Sequence, residues 1–366
     1  MAEKLKVAII GTNIGCTLHI RALRGAGFEI KALVGRDPDQ TAYRAAHFGV
    51  PLSLTSVGGA IDSGIDAVVI AAPPVTHHQF AMQAIAAGKH VLCEKPLAID
   101  TGQAREMRDA AEAAGLVHMV THEFRWFAQN ALLRHIVRSG RIGTPVHVTA
   151  LFDHMLCAAY QPELPAWWMS GREGGGWLRN YNAHGIDLIR YMISDFAAVC
   201  GTSHPGTDRG MTADDGYSFA FVLANDAQGV MAGSARAHDY FASTRVVGSE
   251  GTANIGMDGL SIIDASGTHR PSLPAELVEE LRGTGPVVSA PIEALPKMDD
   301  TLYTRTHSSD VGYPEQVALC AAFAARIRDR GYRNPAFADF GDGVAHMQII
   351  EAVERSRADR RWIDLV

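Results

Sequence analysis

Two groups of residues in this 366-residue chain have the types and spacing to do chemistry. The first is His90-Val-Leu-Cys-Glu-Lys-Pro96, in which a carboxylate (Glu94), an amine (Lys95) and a proline follow a short apolar run. An amine held at the end of a buried strand can polarise a hydroxyl or carbonyl oxygen, and its pKa is readily lowered there. The X-Pro bond at Pro96 can be cis and so fix the side chain before it. The second group is Asn180, His184, Asp187 and Tyr191, spaced to share one face of a helix. An imidazole at that position can exchange a proton near neutral pH, although a hydrogen-bonded core histidine is the alternative reading of His184. Two further pairs end strand-like runs: His122 with Arg125, and Asp153 with His154. The first pair is the better candidate for a ligand contact, because the second reads more readily as solvated end-of-strand loop residues.

Regular elements along the chain must hold these groups in place. Lys6–Ile10, Glu29–Val34, Asp66–Ala72, Val91–Cys93 and Leu116–Val120 are short apolar, β-branched runs separated by helical stretches. Asp66–Ala72 is almost wholly apolar, as a parallel strand covered on both faces should be. Thr76–Gln79 and Asp100–Gln103 have capping-box spacing at the starts of two of the helices. Repeated β-α-β units of this length predict a doubly wound parallel sheet whose ligand lies beyond the carboxyl ends of its strands. The turn after the first strand, Gly11-Thr12-Asn13-Ile14-Gly15-Cys16, stands where a dinucleotide fingerprint belongs. Only Gly11 matches G-x-G-x-x-G, with Gly15 available to compensate; Asn13 and Cys16 replace the other glycines. At the end of the second strand, Gly35 leaves room and Arg36 offers donors for a 2′-phosphate, which favours NADP(H). A solvated Arg36 beside a helix-capping Asp37 is the structural alternative.

Beyond residue 125 the pattern changes. Helices are predicted near Ala128–Ser139, Asn180–Ile193, Pro314–Arg330 and Asp342–Arg357, among strands from Val146 and at Tyr217–Leu223, Val230–Ala237 and Thr244–Val247. The expected architecture is therefore α/β. A Rossmann domain over 1–124 precedes an α+β domain over 125–366 with a mostly antiparallel open sheet. Residues 265–312 show no clear periodicity. Hydrophobic residues make up 47% and charged residues 20%, which excludes a disordered or fibrous chain. Forty acidic against 33 basic residues argues against nucleic acid and leaves a small molecule as the partner. No apolar run approaches the ~18 residues of a membrane span. Five scattered cysteines without C-x-x-C, and a start without a cleavage-site pattern, predict a cytoplasmic protein with no metal site.

Together these motifs resemble the glucose–fructose oxidoreductase / inositol dehydrogenase / MocA family of NAD(P)-dependent oxidoreductases, over nearly the whole chain. Glu94-Lys95-Pro96 resembles the family signature in which the lysine meets substrate near the nicotinamide and the glutamate lies by the cofactor. Ala71-Ala72-Pro73-Pro74 with His77 and His78 resembles the loop that lines the cofactor. Gly174-Gly175-Gly176 with Asn180, His184 and Asp187 resembles the family's glycine-rich stretch, and Trp167-Trp168 its tryptophan near the nicotinamide. The resemblance implies a proton relay through Lys95 and His184, with Asn180 where relatives commonly carry Asp. An amide cannot titrate, so either His184 works without the carboxylate or another acid, Asp153 or Glu123, takes its place. His122, Arg125, Asp153 and Tyr181 are the expected substrate contacts. The cofactor contacts expected are Gly11, Thr12, Asn13, Ile14, Arg36, Ala72, Pro73, His77, Glu94, Lys95 and Trp168. The aromatic group Tyr160, Trp167, Trp168, Trp177 and Tyr181 suits a sugar-like ring, or alternatively packs an interior. The implied activity is hydride transfer to or from a secondary alcohol or ketone of a sugar or cyclitol, in a homodimer or homotetramer. Glycoside cleavage through transient oxidation and a non-catalytic dinucleotide sensor are the competing readings.

Overall fold

A computed structural model describes residues 3–157, 164–205, 210–282 and 313–365, so Tyr160 lies outside the described residues. The chain divides into two units, Met1–Trp126 with Glu279–Val344, and Phe127–Val278 with Ala345–Val366. The sequence expectation of a single boundary at 124/125 is corrected accordingly: a late segment returns to the first unit. The helix Tyr313–Arg328 explains that return. It buries Val317, Leu319 and Phe323 against Ile20, Leu23 and Phe28, with the rings of Phe28 and Phe323 stacked 6.2 Å apart. Farther on, the Val120 N–H donates to Ala338 O (2.9 Å), which covers the edge of the first sheet.

The first unit holds a six-stranded parallel sheet in the order β3-β2-β1-β4-β5-β6. The strands are β1 (Lys6–Ile10), β2 (Glu29–Val34), β3 (Leu52–Leu54), β4 (Ala67–Ile70), β5 (His90–Cys93) and β6 (His118–Val120). β4 is buried along its whole length, which is why it reads as an unbroken apolar run. Register pairs Ile10 with both Val34 and Ile70, Ile70 with Cys93, and Cys93 with Val120. Gly11, Gly35, Ala71, Glu94 and Thr121 are therefore the first residues past one common sheet edge. Chain order reverses between β1 and β4, the place where open α/β sheets take their ligands.

The helix Pro38–His47 is capped by Asp37, whose carboxylate accepts from the Gln40 N–H (2.9 Å). Asp100 likewise accepts from the Gln103 N–H (2.7 Å), as its spacing predicts. Thr76 does not cap. A tight turn over Pro74–Thr76 runs directly into the helix His77–Ala86, and the Thr76 hydroxyl donates back to Pro73 O (2.8 Å).

The second unit holds a nine-stranded sheet in the order β14-β13-β12-β11-β7-β10-β9-β8-β15. Its strands are β7 (Pro145–Asp153), β8 (Phe196–Pro205), β9 (Asp214–Leu223), β10 (Gln228–Ser234), β11 (Phe241–Gly248), β12 (Thr252–Gly256), β13 (Gly259–Asp264), β14 (Gly267–His269) and β15 (Ile363–Asp364). Only β7 with β10 pairs in parallel; the other neighbours are antiparallel. Within the stretch that lacked periodicity lie β14 and the helix Ala275–Arg282, while 283–312 fall outside the described residues.

Candidate active site

The glycine turn keeps its shape with fewer glycines than the fingerprint. Gly11 has φ +117°, its N–H donates to Val34 O (2.9 Å), and a Cβ there would overlap the carbonyl oxygen of Ala71. Gly15 meets the second packing demand, since a Cβ would press within 2.8 Å of Ile9 Cγ2 and lift the helix off β1. Asn13 has no left-handed backbone, so that position needs no glycine for its conformation. Its carbonyl accepts from the N–H groups of Cys16 (2.9 Å) and Thr17 (3.1 Å) and starts the helical turn. The first turn is wide, over Gly15–His19, before regular helix runs from Ile20 to Gly25, shorter than the predicted Leu18–Gly27. Thr12, Asn13 and Ile14 precede it, where backbone N–H groups have no intrahelical partner and suit a pyrophosphate. These residues fit a dinucleotide.

Arg44 was not foreseen. Buried on the helix Pro38–His47, it donates from Nη1 to Thr12 O (2.7 Å) and Thr12 Oγ1 (3.2 Å), fixing the turn from the side. Its signal was an arginine on the helix's buried stripe with Thr41 and Ala45. Arg36 is exposed at the end of β2, and Asp37 is engaged as the cap.

Glu94 continues β5 through an N–H bond to Ile70 O (2.8 Å), and its side chain turns inward. Oε1 meets Nε2 of the buried His19 at 2.7 Å, while Oε2 accepts from the Lys95 N–H (3.2 Å). Burial opposes its ionisation, but the hydrogen bond and charge of His19, then the charge of Lys95, hold the carboxyl well below its ordinary value. Glu94 thus links the helix after the glycine turn to the start of the lysine loop. The Lys95-Pro96 bond is cis, and the Lys95 side chain is half-buried. His77, expected at the cofactor, is fully buried with both ring nitrogens facing carbonyl oxygens, of Pro96 (3.0 Å) and Ala72 (2.8 Å). Past β6, Glu123 is pushed up to about 8 by burial first and the charge of Glu94 second, with Lys95 pulling the other way. His122 is buried there, and the buried Arg125 is paired with Asp342 at 2.9 Å. That ion pair offsets the charge assigned to ligand binding.

In the second unit the triple glycine wraps against the tryptophans. The Gly176 N–H donates to Trp168 O (3.1 Å), and a Cβ on Gly175 would overlap the carbonyl oxygens of both Trp167 and Trp168. A second wide turn, Trp177–Tyr181, then precedes the regular helix Asn182–Met192. Asn180 and His184 are both buried, yet they do not share a continuous α-helical face, because the wide turn ends between them. Asp214 accepts from the Leu178 N–H (2.6 Å) at the start of that turn, and burial pushes its carboxyl up to about 7.

Tyr181 stacks on Trp177 (4.5 Å) and Phe152 (4.8 Å) and meets His184 edge-on at 6.0 Å. His154 and Tyr240 extend this wall, 5.8 Å apart. Phe152 and Tyr240 were not foreseen, since their partners lie far away in sequence. Trp168 is only 1% exposed and packs on Trp177, so the cofactor contact expected of it gives way to a core position; Trp167 is the half-buried one. Asp153 Oδ1 accepts from the Ser234 N–H (2.8 Å), which ties the end of β7 to the end of β10. Lys95 belongs to the first unit and His184 to the second. Among the described residues no cluster of side chains suits a metal ion, and no helix is long and apolar enough to cross a membrane.

Residues 5–122 match the model of an oxidoreductase family with an NAD-binding Rossmann fold, and residues 130–254 match the GFO/IDH/MocA C-terminal domain. A 1,5-anhydro-D-fructose reductase of Ensifer adhaerens is 34% identical over 48% of this chain, a match spanning only about half (52%) of that protein. A levoglucosan dehydrogenase of Pseudarthrobacter phenanthrenivorans is 27% identical over 92% of this chain and 89% of its own. In fold, a levoglucosan dehydrogenase solved with NADH superposes with a TM-score of 0.81, at 24% identity and over all of both chains. An oxidoreductase of Agrobacterium radiobacter, solved with NAD+, L-tartaric acid and magnesium, gives 0.78 at 19% identity, over 99% and 98% of the two chains. The chain belongs to the GFO/IDH/MocA family of oxidoreductases.

Proposed function

We propose that this protein transfers a hydride between a nicotinamide cofactor and a secondary alcohol or ketone of a sugar, cyclitol or similar small molecule. One observation carries the reading. The glycine turn, the Ala72–Pro73 turn and Lys95 all follow from one sheet edge at the β1/β4 switch point, with Lys95 placed by the buried His19–Glu94 pair. Bound there, the cofactor supplies the redox chemistry. Lys95 polarises the reacting oxygen, and Lys95 and His184 handle the proton. Glu123 is the carboxylic acid that stands in for the aspartate absent at Asn180, since burial keeps it protonated at neutral pH. Arg36, exposed at the end of β2, receives the 2′-phosphate of NADP(H), and NAD(H) is also accepted.

The aromatic wall of Phe152, Trp177, Tyr181 and Tyr240 supports a ring-shaped substrate. Exposed Val146, Leu151 and Val230 on β7 and β10 support a homo-oligomer formed through the open sheet. All five cysteines are free thiols, in keeping with a cytoplasmic setting.

Titration with NADH and NADPH followed by a panel of sugars and cyclitols tests the proposal, with Lys95→Ala beside wild type. The variant should bind cofactor and lose turnover; undiminished turnover removes Lys95 from the mechanism. Net reaction without added cofactor would favour glycoside cleavage, and binding without any turnover a sensor.

A further inference from the structure

The last ladder bond between β4 and β5 is from the Glu94 N–H to Ile70 O. Beyond it the two strands run into separate turns, one carrying Ala72 and Pro73, the other Lys95 and Pro96. His77 reaches both. Its Nε2 lies 2.8 Å from Ala72 O and its Nδ1 3.0 Å from Pro96 O, with the ring fully buried. A carbonyl accepts but cannot donate, so each contact uses an N–H of the ring. Neutral imidazole supplies one such donor and imidazolium two. Burial comes first and lowers the ring's pKa, while the carbonyls of Ala72, Pro96 and Leu97 and the carboxylate of Glu94 pull the other way. The neutral ring donates to one of the two carbonyls at a time and the protonated ring to both. No nitrogen is left over for a ligand.

We infer that His77 is a positioning residue: wedged between the two carbonyls and donating to one or the other in its neutral tautomers, its imidazole staples the Ala72 turn to the Pro96 turn beside Lys95. The inference rests on the proposed function in taking Lys95 as the reacting amine and the Ala72–Pro73 turn as cofactor-facing. It assigns His77 no contact with cofactor or substrate. The two halves of the staple then serve different steps. The Nε2 side holds the loop that receives cofactor, and the Nδ1 side holds the loop that carries the amine.

Two isosteric variants separate them, because the amide nitrogen of asparagine falls near Nδ1 and that of glutamine near Nε2. His77→Asn keeps the Pro96 link; it should weaken NADH binding about tenfold, one hydrogen bond's worth, while kcat stays within about twofold. His77→Gln keeps the Ala72 link; NADH binding should hold while kcat falls about tenfold. His77→Leu should lose both. Equal effects of the asparagine and glutamine variants on both quantities, or lowered thermal stability with neither quantity changed, would overturn the assignment. The NADH titration needs no substrate, so it decides the cofactor half even if no sugar turns over. Amide exchange at Ala72 and at Leu97 in the two variants decides the staple even if NADH fails to bind: each variant should loosen only the turn it releases. Should none of the variants fold, imidazole 15N spectra of the wild-type protein decide it. A slowly exchanging ring N–H hydrogen-bonded to a carbonyl supports the staple, and a freely exchanging ring refutes it.

Discussion

Replacing Glu94 by Gln tests the electrostatics beneath the lysine loop. The Glu94 side chain is 11% exposed and that of His19 fully buried, at 2.7 Å, so solvent screens the pair little. The carboxyl falls from an ordinary 4.5 to about 2, because the hydrogen bond and charge of His19, with Lys95 behind it, overcome the burial that resists ionisation. That difference corresponds to about 3 kcal/mol of folding free energy at neutral pH. The sign follows from the direction. A carboxyl depressed in the folded state contributes its full stability above pH 4.5 and loses it as pH falls toward 2. Gln keeps an acceptor for His19 but not the charge, so Glu94→Gln should cost roughly 2–3 kcal/mol at pH 7, and less than half of that at about pH 3. Two units need not unfold together, so the readout should be local. Amide exchange at Val91, Leu92 and Cys93, the strand leading into Glu94, should quicken by roughly 30–150-fold in the variant at pH 7. A gap below about 1 kcal/mol at pH 7, or one unchanged between pH 7 and 3, would refute the reasoning.

Other outcomes follow from the same geometry. Gly11→Ala must hold a side chain at φ +117° against the Ala71 carbonyl; a loss of about 2–4 kcal/mol in urea unfolding is expected, together with loss of NADH binding. Glu123→Gln should remove a rate limb near pH 8. Because that carboxyl is raised in the folded protein, wild-type stability declines as pH climbs from 4.5 through about 8, and the variant should lack this decline in denaturation curves. Arg36→Ala should weaken NADPH more than NADH in fluorescence titrations, whereas equal losses would make Arg36 structural.

Five strands of the first sheet were legible because they are largely buried, and Ala67–Ile70 has no polar residue to obscure it; β3 at the sheet edge, two of its three residues exposed, was not. Asp37 and Asp100 were legible as caps for a local reason, a carboxylate three residues before the N–H it accepts from. The return of Glu279–Val344 to the first unit was not. Residues 317–324 of the helix Tyr313–Arg328 are buried on every side, and all-round burial announces an interior helix without naming the interior. The same limit hid His19, whose partner Glu94 lies 75 residues away, and Arg44, 32 residues from Thr12. Helical spacing placed Asn180 and His184 on one face, but the wide turn Trp177–Tyr181 changes the number of residues per turn there, a feature no 3.6-residue periodicity reveals.

The glycine turn shows how a degraded motif can keep its shape. Its glycines answer separate physical demands, and each demand can be met elsewhere in the chain. Gly11 alone permits the close passage of the turn over the end of β4, and no other residue fits there. Helix-on-strand packing falls to Gly15, one position before the expected glycine, because the helix opens with a wide turn that shifts which residue faces Ile9. At the middle position Asn13 stays out of the left-handed region, so the backbone conformation there needs no glycine, while Arg44 fixes Thr12 from the neighbouring helix. Counting glycines undervalues the loop. Asking which atoms each Cβ would strike recovers the turn that leaves the N–H groups of Thr12, Asn13 and Ile14 ahead of the helix for a pyrophosphate.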